Sequence, residues 1–356
     1  MHHLKIDLQK ALLQRDEGAL FIDCRTPSEF AETTIPGAVN IPLFDDEQRA
    51  RVGLLYKEEG PGPARRLAVD LVSPRIPAMI RQVDEVLDNR RRPVVVFCWR
   101  GGMRSRALTA FLDLAGFSAR QLTGGHKAFR AEVREFLEKG EWGRLLVLRG
   151  LTGVGKTRIL HRLRGEGYPV LDLEGLANHR GSAFGALGLG EQPSQKTFEA
   201  RLWDALRKIP QDGYALAEGE SKNIGKVVLP PRVYEALQQE TSLWLKASLD
   251  YRTQLILQEY PVDSIPREDF VAPIVALKRR LGAETVDRLL ALLHAGKWGE
   301  LVTDLMSLYY DPLYFHTHPD RRIEIHLEPE EEGIIRLKES IRRLLAEPSV
   351  HGLRKA

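Results

Sequence analysis

The stretch LLVLRGLTGVGKTRILHRLR, residues 145–164, leaves the chain few folds to choose from. LLVLR is a short apolar run that reads as a buried strand, and TRILHRLR reads as a helix. Between them GLTGVGKT, residues 150–157, matches the phosphate-loop pattern G-x-x-x-x-G-K-[ST] in full. Gly150, Gly153 and Gly155 let the backbone curl so that its N–H groups cradle a diphosphate at a helix N-terminus. Lys156 neutralises that diphosphate, and Thr157 is placed to hold Mg²⁺. The pattern specifies a chain of phosphates without specifying ATP.

A strand feeding such a loop belongs to a parallel sheet covered by helices. The flanking sequence fits, with further strands at YPVLDLEG, YALAEG and SLWLKASL and helices at SQKTFEARLWDALRKI and DYRTQLILQEY. Beyond about residue 270 the pattern turns mostly helical, closing with EEGIIRLKESIRRLLAE. Strand-end acids are natural metal partners in this kind of fold. YPVLDLEG offers Asp172 and Glu174, and YALAEGES offers Glu218 and Glu220. Mg²⁺ held by Thr157 and Asp172 is the metal site expected here, with no tightly bound cofactor. HTH at 316–318 reads as polar loop rather than as a metal pair.

With 356 residues the chain has room for two cores. Its first part alternates strands (ALFIDCR, VNIP, PVVVFCW, ARQLTGG) with helices such as IPAMIRQVDEVLD and SRALTAFLDLAG. The expected division is a parallel-sheet α/β domain over 1–138 and a P-loop α/β domain with a helical C-terminal region over 144–356. The opening residues read as an amphipathic helix leading into a strand, not as a signal peptide. No apolar run approaches the roughly 20 residues that cross a bilayer, and the cytoplasm is the expected compartment. Two cysteines make no disulfide framework, which agrees with a reducing environment. A net charge of +3 permits a nucleic-acid partner without demanding one.

One of those cysteines sits in VVVFCWRGGMRSRAL, residues 94–108. Cys98 ends a buried strand, and a helix is expected to start near Ser105. The free N–H groups of the turn at Gly101 and Gly102, the helix end, and Arg100 and Arg104 all favour a thiolate. The C-x5-R spacing from Cys98 to Arg104 suits a ring around a tetrahedral oxyanion. Cys24, inside LFIDCRT, reads as a structural core residue.

FIDCRTPSEFAETTIPGAVNIP and QLTGGHKAFR resemble the opening and closing signatures of rhodanese domains, and Cys98 falls where their persulfide cysteine falls. The run from Cys98 to Ser105 is one residue longer than in small sulfurtransferase rhodaneses, nearer the loop of dual-specificity phosphatases. A larger loop implies a larger guest, such as phosphate or selenophosphate. CWRGGMRS, GLTGVGKT, LDLEGLANHRGSAFG, ESKNIGKVVLP and YYDPLY together resemble the bacterial tRNA 2-selenouridine synthases, over residues 1 to about 320.

That resemblance implies an enzyme acting on tRNA with 2-thiouridine at the wobble position. It implies exchange of sulfur for selenium from selenophosphate, and S-geranylation from geranyl diphosphate. Cys98, Arg100 and Arg104 are then expected to handle selenophosphate or a selenium adduct, and Gly150 through Thr157 the diphosphate. Asn178, His179, Arg180 and Ser182, in a polar loop, are candidate substrate contacts together with Glu218 and Glu220. Candidate tRNA contacts are Arg158, Arg162, Arg164 and the KRR run at 278–280. Tyr309, Tyr310 and Tyr314 suit either stacking on a base or the core. A selenophosphate-supplying enzyme is an expected partner, and monomer and weak dimer are both open. The alternative is a sulfurtransferase or phosphatase with a regulatory NTPase domain, and a second is a nucleotide-dependent kinase carrying an inactive rhodanese.

Overall fold

The computed structural model describes residues 4–87, 92–259, 265–314 and 321–347. The HTH tripeptide and most of the basic run at 89–93 lie outside the described residues. Two compact units account for the chain: 1–139 with 199–203, and 140–198 with 204–356.

The first unit holds five strands: β1 (Lys5–Ile6), β2 (Leu20–Asp23), β3 (Val39–Asn40), β4 (Val94–Phe97) and β5 (Ala119–Leu122). All pair in parallel, in the order β1-β5-β4-β2-β3. The opening residues are not helix alone, because Lys5 and Ile6 pair with Gln121 and Leu122 as an edge strand before the helix Leu8–Asp16. On β2 and β4 alternate residues face one core. Leu20 and Ile22 lie opposite Val94 and Val96, and all four are buried in a single cluster.

The second unit is built on β6 (Arg144–Gly150), β7 (Val170–Leu171), β8 (Tyr214–Glu218), β11 (Ser242–Lys246) and β12 (Arg322–His326). The order is β12-β11-β6-β8-β7, again all parallel. A separate antiparallel hairpin joins β9 (Asn223–Ile224) to β10 (Val227–Val228). YPVLDLEG is strand for only two residues before it turns into the helix Leu173–Ala177, capped by Asp172. The C-terminal helices bury a second apolar cluster around Phe270, Leu289 and Leu301. Among the described residues, no helix is long and apolar enough to cross a membrane.

Candidate functional site

In the first unit the helix after Cys98 begins at Met103, two residues before Ser105. Cys98 Sγ therefore sits at a helix N-terminus, within 3.2 Å of both the Gly102 amide and the Ser105 hydroxyl. The cysteine is buried, and its thiol is lowered to about 4. The neighbouring Cys24 thiol contributes most; burial opposes it; the Ser105 hydroxyl and the Ser105 and Gly102 amides add to it.

The closing signature holds this loop from behind. The amides of His126 and Lys127 donate to the carbonyls of Cys98 and Trp99, each at 2.8 Å. Gln121 Nε2 donates to the carbonyls of Gly101 and Gly102 and to Ser105 Oγ. Gly101 has φ +62°, and a Cβ there would come 2.6 Å from the Leu122 carbonyl. Arg100 is exposed at the loop. Arg104 is bidentate to Glu29, with Nη1 2.6 Å from Oε2 and Nη2 3.3 Å from Oε1. Glu29 belongs to the helix Pro27–Glu32, whose capping box with Thr26 fixes its place. Sequence reasoning passed over Glu29, Ser105 and Gln121, which hold the loop from other elements.

In the second unit the phosphate loop joins β6 to the helix Lys156–Gly165. Gly153 and Gly155 have φ +79° and +80°, which only glycine adopts freely. Thr157 Oγ1 donates to Glu174 Oε2 at 2.8 Å. Asp172 is turned elsewhere: its carboxylate meets His161 Nε2 at 2.8 Å and the Gly175 amide at 2.7 Å. The carboxylate brought to Thr157 is thus Glu174, two residues past the acid expected there. The Glu174 and Glu220 carboxylates both lie beside Gly181, and burial raises both carboxyls, Glu220 to about 7.

The loop forms the floor of a cavity of about 1400 Å³. Lys156, Thr157, Glu174, Arg180, Ser182 and Glu220 are among its polar lining residues. Phe184, Ile256, Phe270, Trp298, Leu301 and Leu305 are among its apolar lining residues, and Ile256 lies against the loop itself at Gly153. Tyr309 and Tyr310 also line it, and the described residues do not include the Tyr314 side chain.

Three of the sequence candidates stand apart from this lining. Asn178, in the left-handed conformation at φ 48°, donates to the carbonyls of Gly190 and Glu191. His179 is buried, and its Nδ1 accepts from the Gly181 amide at 3.1 Å. Glu218 is fully buried, with Oε2 accepting from the Leu173 amide at 3.0 Å. The arginines of the P-loop helix already have partners: Arg158 pairs with Glu330, Arg162 with Glu331 and Arg164 with Asp172. Lys278 and the two arginines after it lie on the short helix Lys278–Leu281, and the Arg280 guanidinium lies 5.8 Å from the Tyr309 ring centroid. The apolar lining went unread because its residues carry the ordinary helical spacing of a core.

Fold and geometry define a chain that carries a rhodanese-like thiolate loop in one α/β unit and a P-loop cavity in the next. The rhodanese-like domain family matches residues 7–132, and the AAA domain of tRNA 2-selenouridine synthase matches residues 143–342. The chain is 37% identical over 67% of its length to a tRNA 2-selenouridine synthase of Nitrosomonas europaea, spanning 63% of that relative. It is 32% identical to that of Pseudomonas fluorescens and 34% to that of Pseudomonas syringae pv. tomato, over 88% and 87% of its length and 93% of each relative. The chain belongs to the tRNA 2-selenouridine synthase family, and is an enzyme of that family.

Proposed function

We propose that the chain replaces the sulfur of a wobble 2-thiouridine in tRNA with selenium, through an S-geranylated intermediate. A thiocarbonyl sulfur leaves poorly, whereas its alkylated form leaves as a thiol. In the first step geranyl diphosphate forms a C–S bond to the thiouridine as its C–O bond to pyrophosphate breaks. In the second, selenium derived from selenophosphate, the product of a separate supplying enzyme, takes the place of the geranyl thiol at C2.

The observation that carries this reading is the cavity of the second unit, lined both by the phosphate loop and by apolar side chains. Phe270, Trp298 and Leu301 share that lining with Gly153, Gly155, Lys156 and Thr157 of the loop. A prenyl diphosphate has that same division, an anionic head on an apolar tail. Backbone amides and Lys156 would hold the head and stabilise the departing pyrophosphate. Thr157 and Glu174 are oxygen donors suited to Mg²⁺, which takes one or two carboxylates plus phosphate oxygens. When bound, that ion would neutralise charge on the leaving diphosphate.

Cys98, Arg100 and Arg104 would handle selenophosphate or a selenium adduct in the first unit. The lowered thiol, at about 4, supports a nucleophilic or chalcogen-carrying role near neutral pH.

The test is nucleoside mass spectrometry of 2-thiouridine tRNA incubated with geranyl diphosphate and selenophosphate. Wild type should yield 2-selenouridine. Cys98→Ala should accumulate the S-geranyl nucleoside, and Lys156→Ala should form neither product. Unchanged tRNA with wild type under every condition would overturn the reading.

A further inference from the structure

Cys24 and Cys98 are the only cysteines of the chain, and the sheet brings them together. β2 and β4 pair in parallel with Leu20 opposite Val94, Ile22 opposite Val96 and Asp23 opposite Phe97. The pairing runs one residue further, because the Cys24 amide donates to the Phe97 carbonyl at 2.9 Å. Two residues on from Ile22 and Val96, Cys24 and Cys98 therefore sit side by side on the same face, in the same buried cluster. Neighbouring strands run about 4.8 Å apart, inside the roughly 4.4–6.8 Å between Cα atoms that a disulfide bridges.

A core position next to a thiolate needs no second thiol for packing. We infer that Cys24 is a resolving thiol, which discharges a chalcogen carried on Cys98 by closing a Cys24–Cys98 disulfide. This rests on the reading that Cys98 carries selenium or sulfur. The chalcogen has to reach Cys98 at the sulfane level, because the selenium of selenophosphate is already at the selenide level. Its donor is a per- or polychalcogenide that leaves as its thiolate or shorter anion. From that adduct the step needs no outside oxidant. Cys98–S–Se⁻ and Cys24–SH become the disulfide and HSe⁻: the S–S bond forms, the S–Se bond breaks, and the terminal selenium is reduced to selenide. The Cys24 proton passes to the departing selenium. A sulfur adduct reacts in the same way and releases HS⁻. The product is a small, strongly nucleophilic hydrochalcogenide anion, suited to attack on an activated pyrimidine carbon. The disulfide then needs a dithiol reductant before the next turnover.

The experiment uses the full chain, fully reduced, under anaerobic conditions, with sodium tetrasulfide as the probe. Tetrasulfide transfers a sulfane sulfur to the Cys98 thiolate. After removal of excess reagent, intact mass and released sulfide are followed over time. Wild type is expected to pass from one sulfur heavier to two hydrogens lighter, releasing sulfide as it does so. Cys24→Ala and Cys24→Val, checked for folding by circular dichroism, are expected to stay one sulfur heavier and release none. Cys98→Ala should take up no sulfur.

Wild type that remains one sulfur heavier, as the Cys24 variants do, would overturn the inference while leaving chalcogen carriage on Cys98 intact. No uptake by wild type would overturn carriage itself, and the inference with it.

Discussion

Arg252 is bidentate to Asp311 at 2.8 and 2.9 Å, and the same Nη1 donates to the Thr152 carbonyl inside the phosphate loop at 3.1 Å. The guanidinium is almost fully buried, so the pair acts as a brace between the loop and the C-terminal helices of its unit. Asp311 is the acid of YYDPLY, which gives that string a structural task. Removing one partner of a buried ion pair strands the other charge. Asp311→Ala should therefore cost about 3 kcal/mol in urea unfolding. It should also weaken pyrophosphate binding measured by calorimetry. Unaltered stability would refute the brace.

The pairing of Arg104 with Glu29 gives a pH signature. Burial alone would push the Glu29 carboxyl up, but the Arg104 hydrogen bond and charge outweigh it and hold the group below its ordinary value. A depressed carboxylate contributes stability above its unfolded value and loses it as pH falls through the folded one. Glu29→Gln should thus be less stable than wild type near neutral pH. The gap should close as the pH falls below the ordinary glutamate range, in parallel urea titrations. The pair is partly exposed, so the gap should be modest, about 1 kcal/mol or less.

Glu220 has the opposite sign. Burial first, then the Glu174 carboxylate, raise it to about 7, against an unperturbed value of 4.5. A raised carboxyl stabilises most below the unfolded value, and that contribution disappears as pH climbs toward the folded one. Between about pH 5 and about pH 8 wild type should lose stability that Glu220→Gln, a stand-in for the protonated form, retains. Denaturation midpoints of the two proteins at those pH values decide it. Equal losses in both would refute a proton held at Glu220.

Cys98 should be alkylated by iodoacetamide well below the range of an ordinary thiol, because its thiolate forms at about 4. Ser105→Ala removes a hydrogen bond to Sγ and should move the midpoint of the pH–rate profile upward. Cys24 is fully buried and should stay unmodified while the fold is intact. A midpoint near that of a free thiol would show that the loop does not stabilise the anion.

Local chemistry was legible in the sequence, and contacts made across distance were not. Glycine spacing around Lys156 and around Cys98 encodes a loop directly, so both loops could be read from a dozen residues each. β12 was missed because Arg322–His326 is a polar edge strand with only Ile325 buried among its residues. β1 was missed because two residues carry no period. Asp172 and Glu174 were both visible as strand-end acids. Which of them turns toward Thr157 depends on the short helix that Asp172 itself caps. Arg252 and Asp311 lie 59 residues apart, and nothing local pairs them. Helical periodicity marks Phe270 and Leu301 as inward-facing, yet cannot say whether the space they face is filled or open.

That open space supplies the sharpest test of the prenyl reading. Trp298 lines the cavity and packs on Phe270, with ring centroids 5.1 Å apart. Its indole should touch the tail of a prenyl diphosphate and none of the phosphates. Trp298→Ala is expected to weaken geranyl diphosphate binding about tenfold, or about 1.4 kcal/mol, consistent with the apolar area a tail would bury there. Affinity for inorganic pyrophosphate should be unchanged. Lys156→Ala should instead weaken both ligands together. Calorimetric titration of the two variants with the two ligands separates head from tail. An equal loss of both ligands in Trp298→Ala would mean that the tryptophan only supports the loop, and that the apolar lining holds no tail.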